Sequence, residues 1–307
     1  SLLLLGIGTA VTGLIPSIVG LYLTTVVMSL GFHYYETLQT SLTLQWSETS
    51  QTAETLGRLI AAGSLASIVT FGIIWLADSW LQLDYQWIYL LMGGMTVFIA
   101  LFAWKVYPHF PQKTEQHKHM VLRRRYWLYY TLTFMSGARR QIFVVFAGFL
   151  MVEKFGYSVS QIAALFLINA ALNVVFARKI GRLISSIGEQ KALVLEYSGL
   201  ILVFCSYALV EHAELAAALY VLDHLFFAMA IALKTYFQKI ADPKDIAATA
   251  GVGFSINHIA AVIIPASFGL LWLHSYALVF YAGAGMALIS LVLALFVPSE
   301  PAPGPET

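Results

Sequence analysis

Six ionisable side chains stand inside stretches of this sequence that are otherwise apolar: His33, Glu36, Arg139, Arg140, Asp223 and His224. Two asparagines, Asn169 and Asn173, occupy another such stretch. An ionisable group at the centre of a bilayer costs about 2.5–3.5 kcal/mol on insertion scales, so such groups face a cavity or one another. A guanidinium offers a planar fork to a carboxylate, a phosphate or vicinal hydroxyls. Neighbouring residues on a helix diverge by about 100°, so Arg139 and Arg140 take different partners. Two readings stand open. In one, an arginine pairs with Asp223 and the other binds an anionic or polyhydroxylated solute. In the other, Asp223 and Glu36 neutralise both arginines and no solute is touched.

His33, Glu36, Thr37 and Thr40 follow i, i+3, i+4, i+7 spacing and share one helix face, flanked by Tyr34, Tyr35 and Gln39. A desolvated carboxyl or a histidine can exchange a proton near neutral pH, so Glu36 and the histidines are candidates for proton coupling. Glu36 could equally pair with an arginine. Weaker signals read as structural. Arg58 near a helix end can snorkel, and Glu196 lies about 10 Å from the inner end of its helix. His258, beside Asn257 and Ser255, reads as a packing histidine. His109, His117 and His119 read as solvated loop residues, since no Cys or paired acidic ligand accompanies them.

The elements that position these groups follow from composition. Of 307 residues, 59% are hydrophobic and 11% charged, against roughly 25% charged in soluble domains. Mean hydropathy is +0.78. These values exclude a soluble enzyme, a disordered chain and a secreted disulfide scaffold. The net charge of +1 gives no support for nucleic-acid binding, and Cys205 is the single cysteine. No Walker loop, nucleophile elbow or zinc-protease helix is present. The class is an all-α integral membrane protein.

A crossing helix needs about 20 apolar residues. Ten candidate spans result: 1–15, 19–45, 53–76, 86–107, 126–151, 158–180, 190–210, 215–238, 246–271 and 275–297. The runs are continuous, which excludes the alternating strands of outer-membrane barrels. At about 1.5 Å per residue, Arg139 and Arg140 lie about 20 Å into their span and Asp223 and His224 about 12–14 Å into theirs. All four fall near the midplane, with Asn169 and Asn173 at comparable depth.

The first span is too short to cross, and Ser1 is expected to lie inside a helix whose start is missing. Residues 108–125 are the longest polar stretch and divide four spans from six. The domains expected are an N-terminal half over 1–107, a basic linker over 108–125, a C-terminal half over 126–297 and a disordered proline-rich tail over 298–307. With the linker in the cytoplasm, Lys105, Lys113, Lys118, Arg123, Arg124, Arg125, Arg178, Lys179, Arg182, Lys191, Lys234, Lys239 and Lys244 fall on the inner side. Only Lys154 falls outside, as the positive-inside rule predicts for this orientation.

The two halves resemble each other. Phe71-Gly72-Ile73-Ile74-Trp75 closes the third span and Phe268-Gly269-Leu270-Leu271-Trp272 the ninth. Gly94-Met95 and Gly285-Met286 follow one span later, so the first four spans look like a parallel copy of the last four. Gly181-Arg182-Leu183-Ile184-Ser185-Ser186-Ile187-Gly188-Glu189-Gln190-Lys191 is similar to the cytoplasmic loop signature of the major facilitator superfamily of secondary transporters. Gly181, Leu183, Gly188 and Lys191 match that signature, and Ser185 stands where the family usually has Asp. The chain resembles this family over almost its whole length.

The resemblance implies a bundle of two parallel pseudo-repeats in which the spans present are family helices 3–6 and 7–12, with helices 1 and 2 upstream of Ser1. It implies a central cavity lined here by the helices carrying Arg139 and Arg140, Asp223 and His224, and His33 and Glu36. The cytoplasmic signature loop, with Gly181, Leu183, Gly188 and Lys191, would act in gating. The function expected is secondary transport of a small polar or anionic solute by alternating access with proton coupling, not enzymatic catalysis. Its partners would be solute, protons and the lipid bilayer, in a bacterial inner membrane, as a monomer without cofactor, metal or nucleic acid. Two competing readings are a transport-incompetent fragment or sensor, and an intramembrane enzyme acting on lipid-linked substrates.

Overall fold

Apolar runs of this length have no water to satisfy their backbone, so each closes its hydrogen bonds internally as a helix. The computed structural model describes residues 1–15, 17–107 and 114–299. The helices are α1 (Leu2–Thr12), α2 (Ile18–Trp46), α3 (Thr52–Ser79), α4 (Tyr85–Val106), α5 (Trp127–Gln141) and α6 (Gly148–Glu153). They continue as α7 (Val159–Ile187), α8 (Glu189–Leu209), α9 (Ala213–Phe227), α10 (Ile231–Ile240), α11 (Ile246–Trp272) and α12 (Tyr276–Ala294). Two expected spans are interrupted: α5 and α6 are joined by a π-helical segment, Ile142–Ala147, and α9 and α10 by a 3-10 turn, Ala228–Ala230.

Nine spans among the described residues are long and apolar enough to cross a membrane. The tenth, α1, has 11 helical residues and falls short of a bilayer, as the length of its apolar run already implied. Expected and observed bounds agree closely except at α7, which runs on to Ile187 past the expected end at 180. Its start is fixed by a capping box: Ser158 Oγ accepts from the Gln161 N–H, and Gln161 Oε1 accepts from the Ser158 N–H at 2.8 Å. The proline-rich tail falls on residues 300–307 for most of its length, and these lie outside the described residues, as do Pro16 and linker residues 108–113.

The chain forms two compact units, Ser1–Leu42 with Ser67–Glu115, and Thr43–Ala66 with Gln116–Thr307. The division expected at the linker therefore shifts, because residues 43–66 group with the C-terminal spans. Contacts within that second unit explain the shift. Glu54 on α3 meets Arg178 Nε at 2.7 Å and Arg182 Nε at 3.2 Å on α7. Gln238 on α10 donates to the carbonyls of Leu44 and Ser47 at the end of α2. Inside the first unit, α1 and α4 pack through small residues, with Gly93 directly against Ala10 and Gly6. Without a hydrophobic drive between helices in lipid, such close backbone approach is how they associate.

In the second unit α12 lies along α8, and α11 along α5. Tyr197, Phe204, Tyr207, Phe237 and Phe280 are fully buried there, Tyr207 stacking on Phe280 with centroids 5.0 Å apart. Lys154, the lone basic residue expected on the outer side, donates to Glu211 at 2.9 Å, Tyr276 Oη at 2.6 Å and the Val210 carbonyl at 2.7 Å. At the opposite end, the described part of the linker is tied to the α10–α11 turn. Gln116 donates to the Pro243 carbonyl and accepts from the Ala247 N–H, and the His117 N–H donates to the Lys244 carbonyl.

Candidate functional site

The two interrupted spans carry four of the ionisable groups at depth. Arg139 and Arg140 close α5 immediately before the π segment, and Asp223 and His224 lie on α9 just before the 3-10 turn. A π segment is uncommon inside a helix and frequently marks a functional site. Irregular backbone at membrane depth is tolerated only where protein buries it or where it lines a water-filled cavity.

Arg139 is 1% exposed. Its Nε donates to the Met135 carbonyl one turn back at 3.2 Å, its Nη1 stands 3.6 Å from Glu196 Oε1, and its guanidinium carbon lies 4.4 Å from the Tyr197 ring centroid. The last contact is a cation–π arrangement, worth about 2 kcal/mol when desolvated. Glu196, on α8, is completely buried, and neither carboxylate oxygen has a hydrogen-bond partner among the described residues. Asp223 is likewise completely buried with both oxygens unpartnered, within electrostatic reach of Arg139 and Glu196.

The ion-pair partner of Arg139 is thus Glu196, where the sequence pointed to Asp223 or Glu36. Linear depth placed Glu196 nearer the inner face than Arg139. The length and direction of the arginine close that gap. Helical side chains tilt toward the helix N-terminus, and α5 begins at the linker end, as does α8. The Arg139 stem therefore folds back toward Glu196, as its bond to Met135 shows.

Arg140 points elsewhere and is exposed, its charge reaching the His224 ring. His224 Nε2 shares a hydrogen bond of 3.0 Å with Asn173 Nδ2 of α7. Asn169, one turn before Asn173, is buried, and its Oδ1 has no hydrogen-bond partner among the described residues. The structure therefore pairs Arg139 with Glu196 in a buried setting, with Asp223 also buried and within electrostatic reach, and bonds Asn173 to His224, both half-buried. His33 and Glu36 belong to the first unit, half-buried on α2, where Thr37 donates to the His33 carbonyl at 2.9 Å.

The expected gating loop is not a loop. Gly181 and Leu183 lie in the last turns of α7, Lys191 in the first turn of α8, and Gly188 alone makes the turn, with φ +84°. Gly181 serves a different purpose: a Cβ there would run into the Ala53 carbonyl and the Glu54 backbone. Beside it Glu54 gathers Arg58 at 2.8 Å with Arg178 and Arg182. The glycine pair thus reads as one packing contact and one turn.

Other sequence signals settle as structural. His258 Nδ1 bonds the Phe254 carbonyl at 2.9 Å, and the two rings stack at 4.0 Å. His117 lies 3.5 Å from Asp245. Among the described residues no three of His, Cys, Asp or Glu converge as a metal would require. An apolar cavity of about 360 Å³ lies in the first unit between α1 and α2, lined by Gly8, Val11, Leu23 and Thr24, and holds none of the candidate residues.

A family model described as Major Facilitator Superfamily matches residues 1–265. Among solved structures, the FucP transporter in its outward conformation superposes with a TM-score of 0.77 at 13% identity, covering 97% of this chain and 82% of that one. A structure of the E. coli fucose:proton symporter FucP gives 0.75 at 13% identity over the same shares. The human organic anion transporter MFSD10 (TETRAN) gives 0.72 at 16% identity, covering 95% of this chain and 76% of that one. A comparison with curated proteins returned no match.

Proposed function

Because the chain belongs to the Major Facilitator Superfamily, we propose that it is a secondary transporter moving a small polar or anionic solute by alternating access, coupled to protons. The observation that carries the proposal is the coincidence of charge and backbone irregularity: the two broken spans are the two bearing Arg139, Arg140, Asp223 and His224. Discontinuous helices at the bilayer midplane are where transporters hold solute and coupling ions. Arg140 is the exposed guanidinium of that region, with His224 and Asn173 beside it to orient a polar ligand. Asn169 lies one helical turn from Asn173, and His33 and Glu36 supply polar groups on α2 of the first unit.

A guanidinium fork suits both carboxylates and sugar hydroxyls. The structural relatives, a fucose:proton symporter and an organic anion transporter by their descriptions, fall in those two classes. In this reading the basic linker faces the cytoplasm of a bacterial inner membrane, the chain works as a monomer, and Gly181, Leu183, Gly188 and Lys191 shape the α7–α8 junction that moves during gating. The test is uptake into proteoliposomes under an imposed inward proton gradient, with sugars and small organic anions as separate panels. Accumulation of one class, abolished by an uncoupler, is expected. No uptake of either class, with no solute-dependent thermal shift, would favour a transport-incompetent sensor.

A further inference from the structure

Glu54 Oε1 is met by three guanidiniums at once: Arg58 Nη2 at 2.8 Å from its own helix, and Arg178 Nε at 2.7 Å and Arg182 Nε at 3.2 Å from α7. Close packing brings the two helices to this meeting. A Cβ at Gly57 would strike the Ala177 carbonyl and one at Gly181 the Ala53 carbonyl, so α3 and α7 touch backbone to backbone beside Glu54. Three positive charges face one carboxylate, which leaves the cluster at +2. No other carboxylate among the described residues pairs with these arginines. A guanidinium has five N–H donors, and a bond to Glu54 occupies one of them. The three side chains are about half exposed, so donors remain within reach of an incoming anion.

The surface beyond the charges is apolar. Arg58, Ala62 and Leu65 follow i, i+4, i+7 spacing on α3, and Val175, Arg178 and Arg182 follow i, i+3, i+7 on α7, so each set shares a helix face. Ala62, Leu65 and Val175 are exposed and lie deeper in their spans than the arginines. The apolar run of α7 was expected to end at 180 while the helix continues to Ile187, so Arg178 and Arg182 straddle the border of the hydrocarbon.

We propose that Arg58, Arg178 and Arg182 form a binding site for the phosphate of an anionic phospholipid, whose acyl chains lie along the apolar faces of α3 and α7. Cations at the rim beside apolar faces match, with opposite charge, the order of such a lipid: phosphate first, acyl chains deeper. Guanidinium forks take phosphate oxygens through paired N–H···O bonds, and basic pockets between transmembrane helices hold anionic headgroups. One phosphodiester lowers the net charge of the cluster from +2 to +1. A zwitterionic lipid also brings a cation, which the arginines repel. Glu54 has two opposed effects in this site: it gathers the guanidiniums, and it competes with the phosphate for their donors.

The test is the thermal melt of the purified full chain in detergent, with equal amounts of added phosphatidylglycerol or phosphatidylcholine and with inorganic phosphate as a third arm. Phosphatidylglycerol should raise the melting temperature by several degrees more than phosphatidylcholine does, and inorganic phosphate should not raise it. Arg58→Gln combined with Arg182→Gln should erase that difference, while Arg178 still pairs with Glu54 and keeps α3 on α7. Lys118→Gln combined with Arg124→Gln removes two charges from the linker and none from the Glu54 cluster, and should leave the difference intact. Glu54→Gln should widen the difference by about twofold, because the guanidiniums lose their competitor. Equal shifts from the two lipids in the parent protein overturn the proposal, as does a difference that survives the loss of Arg58 and Arg182. A difference lost in the linker variant would mark a diffuse attraction to the whole basic rim and overturn it too. A narrower difference in Glu54→Gln would make Glu54 a structural tie with no site around it. A full shift from inorganic phosphate would assign the cluster to a free anion instead of a lipid.

Discussion

The Arg139 guanidinium stands 3.6 Å from the Glu196 carboxylate, and neither side chain has any exposed surface. The pair ties α5 to α8 through the centre of the second unit, next to the π segment where the α5 span loses its regular winding. A pair at this depth is held by mutual dependence: each ion makes the other tolerable, and Asp223 is buried within electrostatic reach of the same guanidinium.

Removing the cation should therefore do more harm than removing one anion. Arg139→Gln leaves two buried carboxylates without a counter-ion and is expected to cost about 3–5 kcal/mol. Glu196→Gln leaves Arg139 facing Asp223 and should cost less. Thermal melts of the two variants in detergent check the order. Equal melting temperatures would mean that Asp223 does not sense Arg139.

How much of this was legible in the sequence differs by level. The spans were readable because apolar length is imposed by the bilayer, and the bounds of α2, α4 and α8 follow from it within a few residues. The charged residues at depth were readable for the same reason. Their pairing was not. Glu196 looked too near the membrane face, because residue counting locates backbone and ignores the reach of an arginine stem folded back along its helix. The π segment Ile142–Ala147 was invisible too, since Ile-Phe-Val-Val-Phe-Ala reads as plain apolar helix. The second unit's claim on residues 43–66 depends on Glu54 meeting arginines far along the chain, and no periodicity encodes that contact.

Arg140 offers the opposite test to Arg139. It is exposed and bonds no carboxylate among the described residues, so Arg140→Gln should alter stability by no more than about 0.5 kcal/mol. Solute binding should fall at least tenfold, measured by solute-dependent thermal shift or uptake. A lowered melting temperature with intact uptake would assign Arg140 to packing.

The linker anchor rests on Asp245, whose side chain is fully buried. It accepts from Arg123 Nε and Nη2 at 3.1 Å each, from Arg125 at 3.2 Å and from Tyr126 Oη at 2.9 Å. Both arginines are about half exposed, so the ionic part is screened, and the buried acceptor matters more than the charge. Asp245→Asn keeps the shape and loses acceptor capacity, for an expected cost of about 1–3 kcal/mol. Trypsin should then cut at Arg123, Arg124 and Arg125 faster than in the parent. An unchanged cleavage rate would show that the backbone bonds from Gln116 and His117 hold the linker by themselves.

The two glycines of the α7–α8 junction should fail in different ways. Gly188 has φ +84° and ψ 162°, a region that L side chains avoid, and a Cβ there would meet only the Ser299 carbonyl at an ordinary 4.0 Å. Gly188→Ala should therefore cost about 1–3 kcal/mol through backbone strain alone, with helix packing undisturbed. Gly181 is helical and unstrained, but a methyl there meets the Ala53 carbonyl. Gly181→Ala must push α3 and α7 apart and lengthen the Glu54 contacts to Arg178 and Arg182. A cysteine pair at Ser50 and Ser185, where Ser185 Oγ reaches the Ser50 carbonyl at 3.5 Å, should cross-link readily in the parent and in Gly188→Ala. In Gly181→Ala the cross-linking rate should drop several-fold. Equal rates in all three proteins would show that the α3–α7 approach tolerates a side chain at Gly181, and the close contact would lose its role in the junction.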